Sequence, residues 1–93
     1  MEKVLLTVRL DSARHRRTGM VRQYVNNLEL LDTAERLEIV QIGTDPGYYL
    51  LQFDTNGTEL TDTYHKTLLE AQEQAELEFG VSVSEWIIKD AQR

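Results

Sequence analysis

The stretch from Leu37 to Gly80 constrains the fold more than any other part of the chain, because its turn and cap residues arrive in an order few architectures can use. Two apolar, β-prone runs, LEIVQIG from residue 37 and GYYLLQFD from residue 47, flank TDPG. Pro46 supplies the fixed φ of a turn and the glycines at 43 and 47 supply freedom, so the runs pair as a hairpin. Asn56-Gly57 then tolerates positive φ in a second tight turn, which predicts a further strand from about Thr58 to Tyr64. Thr67 can cap a helix, Glu70 completes a capping box, and Gly80 can take the left-handed position that ends it. Within that helix Leu68, Ala71, Ala75 and Phe79 form one stripe that faces the sheet, while Leu77 falls on the opposite side and the glutamates face water. The expectation is an α+β fold: an antiparallel β-meander packed against one C-terminal α-helix.

The flanking segments are less strongly patterned. KVLLTVRL (3 to 10) is almost continuously apolar, as in a strand buried on both faces or lying in mid-sheet. DSARHRRTG reads as a solvated loop. Residues 20 to 31 carry both helical spacing (Met20, Val21, Tyr24, Val25, Leu28) and strand-like alternation, with two asparagines and two valines tilting them toward extended structure. VSVSEWIIKD reads as a last strand or extended segment, with Trp86, Ile87 and Ile88 closing the core. No repeat or linker interrupts the pattern, and 93 residues are expected to form a single domain, 1 to 93, since so short a chain buries only about 60–70% of its unfolded surface.

Composition narrows the functions. The absence of cysteine removes disulfides and thiolate chemistry and leaves His15, His65 and carboxylates as a poor zinc set. The apolar run at the N-terminus precedes its basic cluster and is broken by Thr7 and Arg9, unlike a signal peptide or a membrane span. A cytoplasmic address is the expectation, with no membrane and no cofactor. A net charge of -6 argues against general nucleic-acid binding. The charge is uneven: residues 1 to 47 hold seven Lys/Arg and seven Asp/Glu, whereas residues 48 to 93 hold three and nine. The C-terminal half therefore carries the whole acidic excess.

Four groups of residues could carry chemistry. His65, with Asp62 near enough in sequence to orient it and Tyr64 beside it, is the candidate for general acid–base catalysis. Strand alternation sets Asp62 and His65 on opposite faces, however, and a structural role at the strand-to-helix junction explains the same residues. A metal site from Asp54, Asp62 and His65 lacks any ligand spacing of the HxH, HExxH or calcium-loop type. No glycine-rich phosphate loop or GxSxG is present, and Ser12, Ser82 and Ser84 have no evident base. Arg14, Arg16 and Arg17 form a basic patch whose bidentate donors suit a phosphate or an acidic partner, within a loop region (14 to 22) that is the alternative nucleic-acid contact. Finally, Glu70, Glu73 and Glu76 are spaced three apart with no cation among them, and Glu76 and Glu78 sit where the helix dipole prefers positive charge. Such a face suits a basic protein partner, with Leu77 as an apolar contact point; it also serves solubility.

The residues Tyr49, Leu51, Asp54, Gly57, Asp62-Thr63-Tyr64-His65, Leu68, Ala71, Gln74-Ala75, Glu78-Phe79-Gly80-Val81 and Trp86 resemble a pattern found in small uncharacterised bacterial proteins: D-T-[WY]-H followed by A-x-x-Q-A-x-x-E-F-G. The match covers residues 48 to 86, with Tyr64 standing where tryptophan is more usual. The resemblance implies a bacterial source and a shared module, not an activity. The expected function is a non-enzymatic binding or regulatory module, such as a small acidic immunity or anti-toxin-like protein. The alternatives are a small enzyme using His65 and Asp62, and nucleic-acid contact through the basic loop. Partner identity, substrate and oligomeric state are not written in the sequence.

Overall fold

The computed structural model describes residues 1–11, 15, 18, 24–25, 28–29 and 34–93. Along the chain lie β1 (Glu2–Arg9), β2 (Tyr24–Val25), β3 (Leu28–Glu29), β4 (Arg36–Ile42), β5 (Tyr48–Phe53), β6 (Glu59–His65), α1 (Leu68–Phe79), a short 3-10 turn (Val83–Glu85) and β7 (Ile87–Gln92). Five strands form one antiparallel sheet in the order β6-β5-β4-β1-β7, and β2 pairs with β3 separately. The β4-β5-β6 meander follows from the two expected turns, with Gly43 at φ 57° and Gly57 at φ 79° taking the left-handed conformations that those positions need. Within residues 20 to 31, β2 and β3 are extended; the rest of that stretch, and Arg14, Arg16 and Arg17 of the basic patch, lie outside the described residues.

The helix begins and ends as its caps dictate. The Thr67 side chain accepts the Glu70 N–H at 3.1 Å, and the Glu70 carboxylate reaches back one residue further than a standard box, to the Lys66 N–H at 3.1 Å. Gly80, at φ 76°, donates its N–H to the Glu76 carbonyl and stops the coil. Ala71, Ala75 and Phe79 are buried against Leu37, Ile39, Leu50, Val8, Val81 and Trp86, with Leu68 partly buried beside them. Two alanines in the stripe let the helix approach the sheet closely.

One irregularity sets the character of the sheet. Residues four apart on a regular strand share a face, yet Val4 joins a cluster with Val40, Leu51 and Phe53 while Val8 packs under the helix. The cause is a bulge between Val4 and Leu6, where β1 carries one residue more than β4. Hence β1 is buried toward both faces, as its apolar run predicts.

Two expectations are corrected. Trp86 is buried, but Ile87 and Ile88 do not close the core: they lie on edge strand β7, 63% and 79% exposed. Trp86 precedes the strand and can turn under the helix, whereas among the described residues β7 has a neighbour strand on one side only. Nor do all the helix glutamates face water, since Glu78 is fully buried. It accepts a hydrogen bond from the Gln52 side-chain amide of β5 at 2.7 Å, and a longer one from Gln74. A buried carboxylate requires such donors.

Candidate functional site

The β5–β6 register decides how the expected catalytic residues stand. Tyr48 is opposite His65, Tyr49 opposite Tyr64, and Leu51 opposite Asp62. His65 therefore lies on the side of Tyr48 and Leu50, facing the helix layer, while Tyr64 and Asp62 share the other face with Tyr49 and Leu51. The sheet itself separates the imidazole from the carboxylate. His65 sits 2.7 Å from the Thr63 hydroxyl, and partial burial lowers its pKa, opposed by the nearby Glu70 charge. The arrangement is that of a strand end packed at a helix start.

Tyr64 belongs to a different group. Asp45, in the β4–β5 turn, accepts the Gly47 N–H at 2.9 Å and the hydroxyls of Tyr49 and Tyr64 at 3.0 Å each. The Gly47 N–H, then Tyr64, then Tyr49 hold the Asp45 carboxyl below the usual range, and both phenols are raised because they donate to it. The two rings meet edge to face with centroids 5.0 Å apart. A side chain on Gly47 would run into the Tyr64 ring, so glycine is required by close approach. With raised phenols and a stabilised carboxylate, none of the three is poised to exchange a proton near neutrality. The cluster fastens the turn.

A second polar group, not foreseen from sequence, ties distant segments together. His15 is buried; its Nδ1 accepts the Asp11 N–H at 2.9 Å, which places the ring proton on Nε2, 2.7 Å from Glu85 Oε1. Glu85 Oε2 accepts the Ser82 N–H at 2.8 Å and the Ser82 hydroxyl at 3.1 Å. Serine, carboxylate and histidine are thus present, but the carboxylate lies in the middle, and a nucleophilic triad needs the imidazole there. The Ser82 backbone and His15 hold Glu85 down to about 2, so it is a poor base for the Ser82 hydroxyl. The group acts as a clamp between the segment after β1 and the turn before β7. Among the described residues no three His, Asp or Glu side chains gather in a way that could hold a metal ion.

The outer side of α1 is organised differently. Leu69, Glu73, Glu76 and Leu77 project within an arc of about 100°, and all four are exposed, Leu69 by 55% and Leu77 by 50%. Glu70 borders this arc and is exposed too, although its carboxylate is already engaged at the helix start. No basic residue lies in the last turn. Thr18 docks beside this end of the helix, its N–H donated to the Glu78 carbonyl and its hydroxyl to that of Leu77. No helix among the described residues is long and apolar enough to cross a membrane. Comparisons with family models, curated proteins and solved structures return no match.

Proposed function

We propose that this chain is a non-enzymatic binding or regulatory module that recognises a basic protein through the outer face of α1, in the manner of a small acidic immunity or anti-toxin protein. The observation that carries the reading is the pair Leu69 and Leu77, each at least half exposed, on the same arc as Glu73 and Glu76. Apolar anchors within a charged rim are the usual anatomy of a protein contact. Acidic groups near the C-terminal end of a helix oppose its dipole, and a basic partner would relieve that opposition. Charge complementarity of this kind acts mainly on the rate of encounter. A cytoplasmic setting and a bacterial source belong to the same reading.

The test is affinity capture at low salt with the wild-type chain, Glu73→Lys/Glu76→Lys and Leu77→Ser. The expected result is retention of a basic protein by the wild type, association at least about tenfold slower in the charge-reversed variant, and faster dissociation in Leu77→Ser. Retention of no basic protein, or equal binding by the charge-reversed variant, would reject the reading.

A further inference from the structure

On the sheet face away from α1, three cations converge on one cleft. Arg9 and Arg36 are direct partners in the β1–β4 ladder, so their side chains leave the same face at adjacent points. Like charges directly opposite one another cost stability in an antiparallel pair. Lys89 of edge strand β7 reaches the same place, and Thr7, Glu38 and Ile87 complete the lining of a cleft of about 330 Å³.

The charges around it do not cancel. Arg36 Nε lies 3.2 Å from Glu38 Oε2; Arg93 Nη1 lies 2.7 Å from Glu38 Oε1, and the other Arg93 terminal nitrogen pairs with Glu2. Two arginines and two glutamates thereby neutralise one another. Arg9 and Lys89 have no carboxylate partner among the described residues. Two uncompensated cations thus border the cleft, beside an arginine held in a repulsive cross-strand pair. Thr7 cannot donate to a ligand while its hydroxyl donates to the Leu37 carbonyl at 3.1 Å, so the recognition is ionic. On one wall Ile87 stands 63% exposed.

We propose that this cleft binds a small phosphate monoester: the dianionic phosphoryl group lies between Arg9 and Lys89 beside Arg36, and the organic part rests on Ile87. A phosphate monoester carries close to two negative charges at neutral pH, which matches the two unpaired cations, whereas a carboxylate would leave one of them unmatched. Arginine presents its donors as a fork suited to phosphate oxygens, and lysine adds a point charge. A phosphoryl group also offsets the Arg9–Arg36 repulsion. Because the whole chain carries a net charge of -6, the long-range field repels such a ligand and the attraction is confined to the cleft. The site is independent of the acidic helix surface, and either can fail without the other.

Titration of the full chain with phenyl phosphate at constant ionic strength, followed by amide NMR, tests the site. Inorganic phosphate and benzoate serve as comparison ligands. Saturable shifts are expected at Thr7, Arg9, Arg36, Ile87 and Lys89, with affinity falling about tenfold in Arg9→Gln and in Lys89→Gln. Arg9 and Lys89 are exposed, so both variants should keep the wild-type amide spectrum elsewhere. Benzoate should bind more weakly than phenyl phosphate, and so should inorganic phosphate, which lacks the group that rests on Ile87. Shifts that never saturate, benzoate binding as tightly as phenyl phosphate, or undiminished binding by either glutamine variant would overturn the site. Equal affinity for inorganic phosphate would overturn the role given to Ile87.

Discussion

The two faces of the five-stranded sheet bury apolar side chains by different means. Under α1, Leu37, Ile39 and Leu50 meet Ala71, Ala75, Phe79 and Trp86, so apolar groups from separate layers interlock. On the other face Val4, Val40, Leu51 and Phe53 are buried with no helix over them among the described residues. Among the described residues, long polar side chains lie over part of this floor. Guanidinium groups of Arg36 and Arg93 stand 4.4 and 5.8 Å from the Phe53 ring centroid, Glu38 is buried between them, and Tyr49 leans in from the side. Amphipathic stems over an apolar floor are an effective shield. Among the described residues, then, the apolar floor of this face lies under long side chains whose charges are paired, where the opposite face has a helix.

The sharpest way to break this comparison is at Leu50 and Leu51, adjacent on β5 and pointing to opposite faces. Leu50→Ala should cost about 3–4 kcal/mol, because the helix cannot collapse into the space left, whereas Leu51→Ala should cost about 2 kcal/mol because the arginine and tyrosine stems can settle inward. Urea unfolding of the two variants measures the difference; equal losses would mean that the cover over Leu51 is as rigid as a helix.

The polar groups of the two sides provide a gentler contrast. Glu85, on the helix side, is held well below its ordinary value of 4.5, at about 2. A carboxyl depressed in the folded state contributes stability above about pH 4.5, and that contribution disappears as the pH falls toward about 2. In a comparison of melting temperature against pH, Glu85→Gln should therefore lie below the wild type near neutrality and converge with it through that window. A constant gap down to the lowest pH would remove His15 and Ser82 as the cause.

The smallest effect is expected across the sheet, at Asp45. Replacing Tyr64 by Phe takes away one of the donors that depress the Asp45 carboxyl, so its pKa should rise toward the ordinary carboxylate value without reaching it, since the Gly47 N–H remains. Carboxyl-carbon NMR of Asp45 in the two proteins reads the change directly. An unmoved titration would show that Tyr64 is a bystander to the turn.

What could be read from the sequence is divided along the same physical line. Hairpins and the helix were legible because Pro46, Asn56-Gly57, Thr67, Glu70 and Gly80 act on their immediate neighbours. Long-range partners were not. Nothing local announces that β1 inserts between β4 and β7, or that His15 meets Glu85 70 residues away. Glu78 reads as one more solvated glutamate until Gln52 is known to lie beneath it. The apolar pair Ile87-Ile88 suggests a core because residue type reports hydrophobicity, while edge position depends on strand order. For the candidate surfaces, the acidic arc of α1 was visible as helical spacing, but Arg9, Arg36 and Lys89 come from three strands and gather only once the sheet is assembled.

The extra residue that β1 holds between Val4 and Leu6 also gives the chain a spare link. Dropping one residue there would close the ladder with β4 and keep the flanking side chains on their present faces, while widening the mismatch with β7, which already spans Val4 to Leu6 with one residue more; the same loss at Thr7 would turn Val8 out of the helix layer and Arg9 into it. Length variation among sequences of this kind should therefore be better tolerated at position 5 than two residues later, and an alignment that places its gap elsewhere in β1 would transpose the inside and outside of the molecule.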